Sequence, residues 1–318
     1  MAPKYFHWVF LFVVLIGIEV ALRTMGPRLF GGYPPAGEYV LAERLTYSRD
    51  PKVADRPIAQ YDPEIGWVSD RLPALKPSKR PIVAVFGASW TYGLDVDEKE
   101  AYPVVLNELT SDLDGRNYGV AGYGLDQMLL LANRIVPKLN PQWIVIGFVA
   151  SDLHSSCFPF YYAKRKPRWS SFEAASPEPS WVRTPAEVGE IHRRPLEKTA
   201  DFLVSQLFHS KIAMLILSAA VQPVINQCVV EFNANLMDRA QRRWGDRLIL
   251  AHLGRDLPKA FVSEMAQRNI PIVSIKDGID QQIAVAGPFI IEGQHPNPSY
   301  QRAMAELLVQ AIRERGAC

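Results

Sequence analysis

Residues 81–93 read PIVAVFGASWTYG, and the fold of the chain is clearest here. The run Pro81–Phe86 is apolar and short, which is typical of a strand buried in a parallel sheet. Small residues follow at once, and Ser89 stands among them between Gly87 and Gly93. This order predicts a strand that turns directly into a helix, with the Ser89 hydroxyl close to the positive end of the backbone dipole.

Strands and helices continue to alternate on the carboxyl side of this stretch. Beyond Pro81–Phe86 the apolar runs predict strands at 117–118, 143–149, 247–253 and 271–275. Helical spacing of apolar residues predicts helices at 103–113, 126–136, 257–268 and 298–314. The last of these has Asn297 as its N-cap and Pro298 in its first turn. Such alternation predicts a mainly parallel sheet with helices on both faces, a three-layer α/β/α sandwich.

Composition excludes several classes of protein. The 318 residues are 48% hydrophobic, which is ample for a packed core and excludes wholesale disorder. The 35 basic residues nearly balance the 33 acidic ones, so a nucleic-acid partner is not indicated. Three cysteines, at 157, 228 and 318, are too few and too scattered for a disulfide scaffold or a zinc site. No histidine and glutamate pair has metalloprotease spacing, so we expect no metal.

The N-terminus predicts a membrane anchor. Phe6–Leu22 is an apolar run of about 17 residues, which as a helix would extend roughly 25 Å, the lower limit for crossing a bilayer. A cleaved signal peptide and a buried helix are the alternatives, but no small-residue cleavage site follows the run. Lys4 and Arg23 flank it on opposite sides and leave the orientation open. We expect an uncleaved single-pass helix, with its N-terminus inside and the rest of the chain outside the cytoplasm.

Three segments follow from these patterns. Residues 1–30 hold the predicted transmembrane anchor, residues 31–80 an extended strap rich in proline, glycine and charge, and residues 81–318 the α/β domain. Within the strap, the aromatic segment Tyr61–Trp67 is predicted to dock on the domain. Residues 155–196 have no regular period and are too long for a routine connection, so they form a binding loop or a cover.

Polar and small residues follow the predicted strands, where active sites of parallel sheets lie. They are Ser89, the loop Gly119–Gly124, the segment Ala150–Asp152 and, before the last helix, Glu292–Asn297. In this set His295 is a candidate acceptor of the Ser89 proton, and Glu292 a candidate carboxylate to hold the imidazole. Each residue alone is more simply a turn or surface residue, but together they predict nucleophilic chemistry.

Other catalytic folds fit less well. The nucleophile turn of an α/β-hydrolase needs glycine two residues after its serine, and Thr91 stands there. The glycines of Gly119–Gly124 have the wrong spacing for a dinucleotide-binding loop, and no phosphate-loop lysine follows them.

Four motifs, in this order, resemble those of the SGNH (GDSL-like) hydrolase family, in particular its membrane-anchored bacterial members. The first, Gly-Asp-Ser-x-Thr-x-Gly, matches residues 87–93 with Ala88 in place of aspartate. The second contributes an oxyanion-binding glycine, here Gly122. The third is Gly-x-Asn-Asp, and here the strand ends Val149-Ala150-Ser151-Asp152, which places serine where asparagine is expected. The fourth, Asp-x-x-His, matches 292–295 with Glu292 in place of aspartate. The resemblance covers residues 60–315.

The resemblance implies an SGNH hydrolase-like α/β/α fold and chemistry through an acyl-serine, with no cofactor and no metal. Ser89 would be the nucleophile, His295 the base and Glu292 its partner. Ser89, Gly122 and Ser151 would form the oxyanion hole. A serine hydroxyl is shorter than an asparagine amide, so Ser151 should weaken that hole, and losing one donor outright costs about 10²–10³ in turnover.

Three functions stay open at this point. The first is an esterase that removes acyl groups, acetyl above all, from a cell-surface glycan or lipid of the bacterial cell envelope. The second is an O-acyltransferase that uses the same acyl-serine for a sugar hydroxyl. The third is a catalytically impaired member that binds a glycan or acts as a scaffold, a reading that rests on Ala88 and Ser151. Reaction of Ser89 with a serine-directed phosphonate separates the first two from the third.

Overall fold

The structure, a computed structural model, describes residues 59–62, 65–69, 71–157, 160–161, 164–165, 168–169, 181–183, 225–254, 256–286 and 295–316, together with 14 and 223. Nearly all of them belong to one compact unit, residues 56–186 and 227–318. The predicted anchor Phe6–Leu22 lies outside the described residues except for Val14, and so does Glu292. No helix within the described ranges is long and apolar enough to cross a membrane.

The strands fall into one large sheet and three small pairs. Those of the large sheet are β3 (Ile82–Gly87), β4 (Asp114–Gly119), β5 (Trp143–Val149), β10 (Leu248–Gly254) and β11 (Ile272–Ser274). The pairs are β1 (Ala59–Asp62) with β2 (Gly66–Ser69), β6 (Phe160–Tyr161) with β7 (Lys164–Arg165), and β8 (Arg168–Trp169) with β9 (Trp181–Arg183). The last two pairs lie within residues 155–196, the stretch that has no regular period of apolar residues.

The helices alternate with the strands of the large sheet as predicted. They are α1 (Ser89–Tyr92), α2 (Tyr102–Leu109), α3 (Leu125–Leu139), α4 (Ala150–Ser155), α5 (Asn233–Trp244), α6 (Lys259–Gln267), α7 (Ile275–Ala286) and α8 (Pro298–Gly316). Short 3₁₀ turns cover Glu98–Glu100 and Gly245–Arg247, and a π-helical turn covers Cys228–Phe232. Asn297 caps α8 as predicted, since its Oδ1 accepts the Tyr300 amide at 2.9 Å.

The large sheet has the order β11-β10-β5-β3-β4, and within the described residues all its strand pairs are parallel. The parallel sheet predicted from the apolar runs is therefore confirmed. Strand β4 is longer than the two residues predicted. The prediction was too short because β4 lies at the edge of the sheet and carries polar side chains, which form no apolar run. Arg116 and Asp114 on this strand form an ion pair at 2.9 Å.

Helix α2 ends four residues earlier than predicted, and Asn107 accounts for this early end. The Asn107 amide accepts a hydrogen bond from the Gly115 amide and donates one to the Gly115 carbonyl, both at 2.9 Å. These bonds draw the chain out of the helix and into β4. A pattern of apolar residues carries no sign of such a side-chain clamp.

Helices cover both faces of the sheet, so the predicted three-layer arrangement is confirmed. Side chains alternate along β3 and β5: Val83, Val85 and Val145 lie in the core beneath α2, α7 and α8. Helices α3 and α5 pack on the opposite face, against β3, β5 and β10. Successive side chains of a strand point to opposite faces of the sheet, so a strand that is buried on both faces contributes to the core on each side.

The strap docks on the domain, as predicted, through its aromatic segment. The Trp67 indole donates to the Ala121 carbonyl at 3.0 Å, and the Tyr123 hydroxyl donates to the Trp67 carbonyl. The described part of the strap is not extended throughout, however, because β1 and β2 form an antiparallel hairpin. At its turn the Asp62 carboxylate accepts the Ile65 amide at 3.0 Å and pairs with Arg134 of α3 at 2.6 Å.

A disulfide joins Cys157 to Cys228. Cys157 follows α4, and Cys228 begins the π-helical turn before α5, 71 residues farther along the chain. Three scattered cysteines did not suggest any disulfide, and nothing in their spacing pairs Cys157 with Cys228.

Candidate functional site

Three of the predicted site residues meet at one edge of the sheet. Strand β3 lies between β4 and β5, and Gly87 at its end is level with Gly119 of β4 and Gly147 of β5. Ser89 follows β3, Gly122 follows β4, and Ser151 follows β5. Parallel strands present their carboxyl ends at the same edge, so the three residues lie on adjacent strand ends, where ligands of open α/β sheets bind.

Ser89 is the first residue of α1, directly after β3, as predicted. Ala88 occupies the N-cap position, where its methyl group cannot accept a hydrogen bond from the free amides of the first turn. The helix closes through a 2.9 Å bond from the Tyr92 amide to the Ala88 carbonyl, and it ends at Gly93, whose φ is 77°. The free amides at the start of α1 therefore lie beside the Ser89 hydroxyl, where they favour negative charge.

A buried pair of hydroxyls fixes α1 against α2. Thr91 and Tyr102 are fully buried, and their side-chain oxygens are 3.0 Å apart. Burial raises the pKa of the Tyr102 phenol above its ordinary value, so the group stays a neutral hydrogen-bond donor. Thr91, the threonine of the first motif, therefore holds the short helix in place, while Ser89 two residues earlier stays partly accessible.

The loop that contains Gly122 is held on two sides. The Val120 amide donates to the Gly87 carbonyl at 2.9 Å, and the Trp67 indole holds the Ala121 carbonyl. Gly122 has a φ of 84°, which a residue with a side chain rarely adopts. The turn thus needs glycine at the position where the sequence predicts an oxyanion donor.

Ser151 is the second residue of α4, a helix that its neighbour Asp152 caps. The Asp152 carboxylate accepts the Val149 amide at 2.9 Å, and its side chain is buried. The Ser151 carbonyl accepts the Ser155 hydroxyl at 3.1 Å, so the backbone of Ser151 is fixed from within the helix. The third motif therefore places a hydroxyl at the end of β5, on the opposite side of β3 from Gly122.

His295 has a carboxylate partner that sequence reasoning missed. Its Nδ1 lies 2.9 Å from Oδ2 of Asp95, a residue of the loop that follows α1. The predicted partner, Glu292, lies outside the described residues. The only hint in the sequence is that Asp95 comes soon after Ser89, and nothing in the motif spacing links it to a histidine 200 residues away. The bond brings the His295 ring to the loop next to the candidate nucleophile.

The first turn of α8 braces the His295 segment against α1. The Tyr300 ring packs edge-on against Trp90 with centroids 5.6 Å apart, and burial raises the pKa of Tyr300 to about 12. The fully buried amide of Gln301 donates to the Trp90 carbonyl at 3.1 Å and accepts the Tyr102 amide at 2.9 Å. Gln301 thus joins α8, α1 and α2, a role that no sequence pattern indicated.

This edge of the sheet thus carries Ser89 after β3, Gly122 after β4 and Ser151 after β5, and the loop after α1 carries the Asp95 carboxylate that is bonded to His295. The chain resembles the SGNH hydrolases. It differs from their motifs at Ala88, Val149, Ser151 and Glu292. Among the described residues, no three side chains of His, Cys, Asp or Glu are grouped to hold a metal ion.

Comparison with known proteins gives distant structural likenesses. Neither a family model nor a curated protein matches the sequence. A structure of TesA is 13% identical, with 74% of this chain and 99% of that chain covered and a TM-score of 0.40. The psychrotrophic esterase EstA from Pseudoalteromonas sp. is 10% identical, with 74% and 97% covered and a TM-score of 0.39. A member of the lipolytic protein G-D-S-L family from Veillonella parvula is 11% identical, with 73% and 98% covered and a TM-score of 0.33.

The resemblance of this chain to the SGNH hydrolases rests on its four sequence motifs and on the positions of Ser89, Gly122 and Ser151 after three adjacent strands of the sheet.

Proposed function

We propose that the chain is a serine ester hydrolase of SGNH type, with Ser89 as its nucleophile and His295 as its base. The observation that carries the proposal is the placement of Ser89 on α1, directly after strand β3, with the His295 ring bonded to Asp95 in the loop that follows. A nucleophile, a base and a group that orients the base are the parts that acyl-serine chemistry needs.

The hydrogen bond to Asp95 determines which nitrogen of His295 acts. A carboxylate only accepts, so in the neutral ring Nδ1 carries the proton and Nε2 keeps its lone pair. Nε2 removes the Ser89 proton as Oγ attacks the ester carbonyl. It then gives that proton to the departing alcohol, which leaves an acyl group on Ser89. Water attacks this acyl-serine, again losing its proton to Nε2, and releases the acid and the free serine.

The carbonyl oxygen becomes negative in both steps and needs hydrogen-bond donors. The amides of Ser89 and Gly122 and the hydroxyl of Ser151 are the donors that we assign to it. They come from the ends of three adjacent strands, so a carbonyl above Gly87 would face all three. Ser151 is the weakest of them, because its hydroxyl rotates and is shorter than an amide.

As substrate we propose an acylated, above all acetylated, glycan or lipid of the cell surface. The support is the predicted anchor at Phe6–Leu22, which would hold the domain next to the membrane. The disulfide Cys157–Cys228 supports an oxidising compartment, because such bonds are rare where glutathione keeps thiols reduced. A position outside the cytoplasm would give the site access to envelope glycans and lipids.

A serine-directed fluorophosphonate tests the proposed nucleophile. We expect the full chain, purified in detergent, to become labelled at one serine, because the probe reacts with activated hydroxyls alone. Ser89→Ala should abolish labelling. Ser263→Ala removes a serine hydroxyl from the exposed face of α6 and serves as the matched control, with labelling equal to that of the parent. Labelling that persists in Ser89→Ala, or a folded parent that takes no label, would contradict the proposal.

Counting free thiols tests the proposed compartment. The variant Cys318→Ser leaves only the two cysteines of the disulfide. Expressed in a bacterium and quenched with maleimide before lysis, it should take up no maleimide, and two per chain after reduction. The protein should also stay with carbonate-washed membranes. Two reactive thiols before reduction would place the domain in a reducing compartment and exclude a cell-surface substrate.

A further inference from the structure

The one carboxylate bonded to His295 in the described part of the chain is Asp95. We propose that Asp95 is the positioning residue of the site, the group that fixes the tautomer and direction of the His295 ring. This takes the role that the motif spacing assigns to Glu292. The inference rests on the proposed function for its kinetic consequence, but the bond itself can be tested without any activity.

Asp95 lies in a loop whose shape is fixed at both ends. Before it, the amides of Gly93 and Leu94 both donate to the Ser89 carbonyl, at 3.1 and 3.2 Å. After it, Asp97 caps the 3₁₀ turn Glu98–Glu100, and the Asp97 amide donates to the Glu100 carboxylate at 3.0 Å. The carboxylate that meets His295 is therefore tied by backbone hydrogen bonds to the carbonyl of the candidate nucleophile. A displacement of α1 would move Ser89 and Asp95 together.

His295 is equally constrained on its own side. Pro296 follows it directly, and Asn297 then caps α8 through the Tyr300 amide. Tyr300 and Gln301 fasten that first turn to Trp90 of α1. Both ends of the bond between Asp95 and His295 are thus held to the same short helix, and the ring has its Nε2 left for Ser89.

The ion pair between Asp95 and His295 is partly exposed, and this limits its contribution to the stability of the fold. The side chains of His295 and Asp95 are 21% and 39% exposed, so water screens the charge of the pair, and its contribution to stability should be small. Orientation of the ring is less affected by screening, since it depends on which nitrogen carries the proton. A carboxamide in place of the carboxylate can donate to Nδ1 and thus stabilise the wrong tautomer.

Nitrogen NMR tests the bond directly. The full chain, labelled with ¹⁵N at its six histidines, gives a His295 signal that His295→Gln identifies. Under alkaline conditions, where imidazole is neutral, we expect the parent ring to be protonated at Nδ1 and Asp95→Asn to shift it towards the Nε2-protonated tautomer. Asp97→Asn changes a carboxylate two residues away that has no bond to His295 among the described contacts, and should leave the signal in place.

Kinetics then separates positioning from a structural role. If the parent hydrolyses a short acyl ester, Asp95→Asn should lower kcat by about 10²- to 10⁴-fold with KM nearly unchanged. Asp95→Glu should recover part of kcat, and the melting temperature should stay close to that of Asp97→Asn.

Two outcomes would overturn the inference. One is a His295 tautomer that Asp95→Asn leaves unchanged. The other is a His295 signal that moves in Glu292→Gln and not in Asp95→Asn. A parent without ester hydrolysis, but with a His295 tautomer that depends on Asp95, would refute the proposed function and still support the positioning role.

Discussion

Ser89→Ala and His295→Ala should each lower kcat for a short acyl ester by roughly 10⁴- to 10⁶-fold, and by nearly the same factor. The serine without its base is a weak nucleophile, and the base without the serine has no proton to take, so the two residues act as one unit. The residual rate would come from the oxyanion donors and from binding. Steady-state kinetics on the full chain with a p-nitrophenyl acyl ester measures both variants.

The double variant is the sharpest control for this pair. Because either change alone already disables the unit, combining Ser89→Ala with His295→Ala should cost little more than each single change. Equal circular dichroism spectra and melting curves would show that the fold is intact. A single variant that retains more than about a tenth of the parental kcat, or losses that multiply in the double variant, would remove that residue from the mechanism.

The sequence predicts those parts of the fold that depend on local patterns. Buried parallel strands are apolar along their whole length, and this is why β3, β5 and β10 could be located within a residue or two. The positions of Ser89 and Ser151 follow from β3 and β5, because residues after parallel strands meet at one edge. Edge strand β4 was predicted too short because its polar side chains hide the strand pattern.

Contacts between residues that are far apart in the sequence could not be predicted from local patterns. The bond between Asp95 and His295 joins residues 200 positions apart, and Gln301 reaches Tyr102 across 199. Apolar periodicity reports burial, and it carries no information on which polar groups meet. The same holds for Cys157 and Cys228, whose separation of 71 residues follows no pattern. Family motifs assign Glu292 to the histidine by spacing alone, whereas the carboxylate bonded to the ring among the described residues is that of Asp95.

The site also depends on how closely α1 approaches the sheet, and Gly87 makes that approach possible. A Cβ atom built at Gly87 would lie 1.9 Å from Oγ1 of Thr91 and 2.7 Å from the Gly147 carbonyl oxygen. Both neighbours are confined. Thr91 is hydrogen-bonded to the buried Tyr102, and Gly147 lies on β5, which is paired with a strand on each side. The glycine that opens the first motif is thus needed because the turn into α1 leaves no room for a methyl group.

Gly87→Ala should therefore destabilise the domain and disable the site at once. Overpacking of a confined position costs about 3 kcal/mol, which corresponds to a fall in Tm of roughly 6–12 °C for a domain of this size. Relief of the clash must push Thr91 away from Gly87, and Ser89, on the same four-residue helix, would move with it, so phosphonate labelling should also slow. Gly316→Ala is the matched control, because its Cβ would meet only Trp143 at 3.8 Å and alanine suits a helix better than glycine. If the two variants melt at the same temperature, then α1 can move away from β3 without cost, and close packing of this helix on the sheet does not hold Ser89 in place.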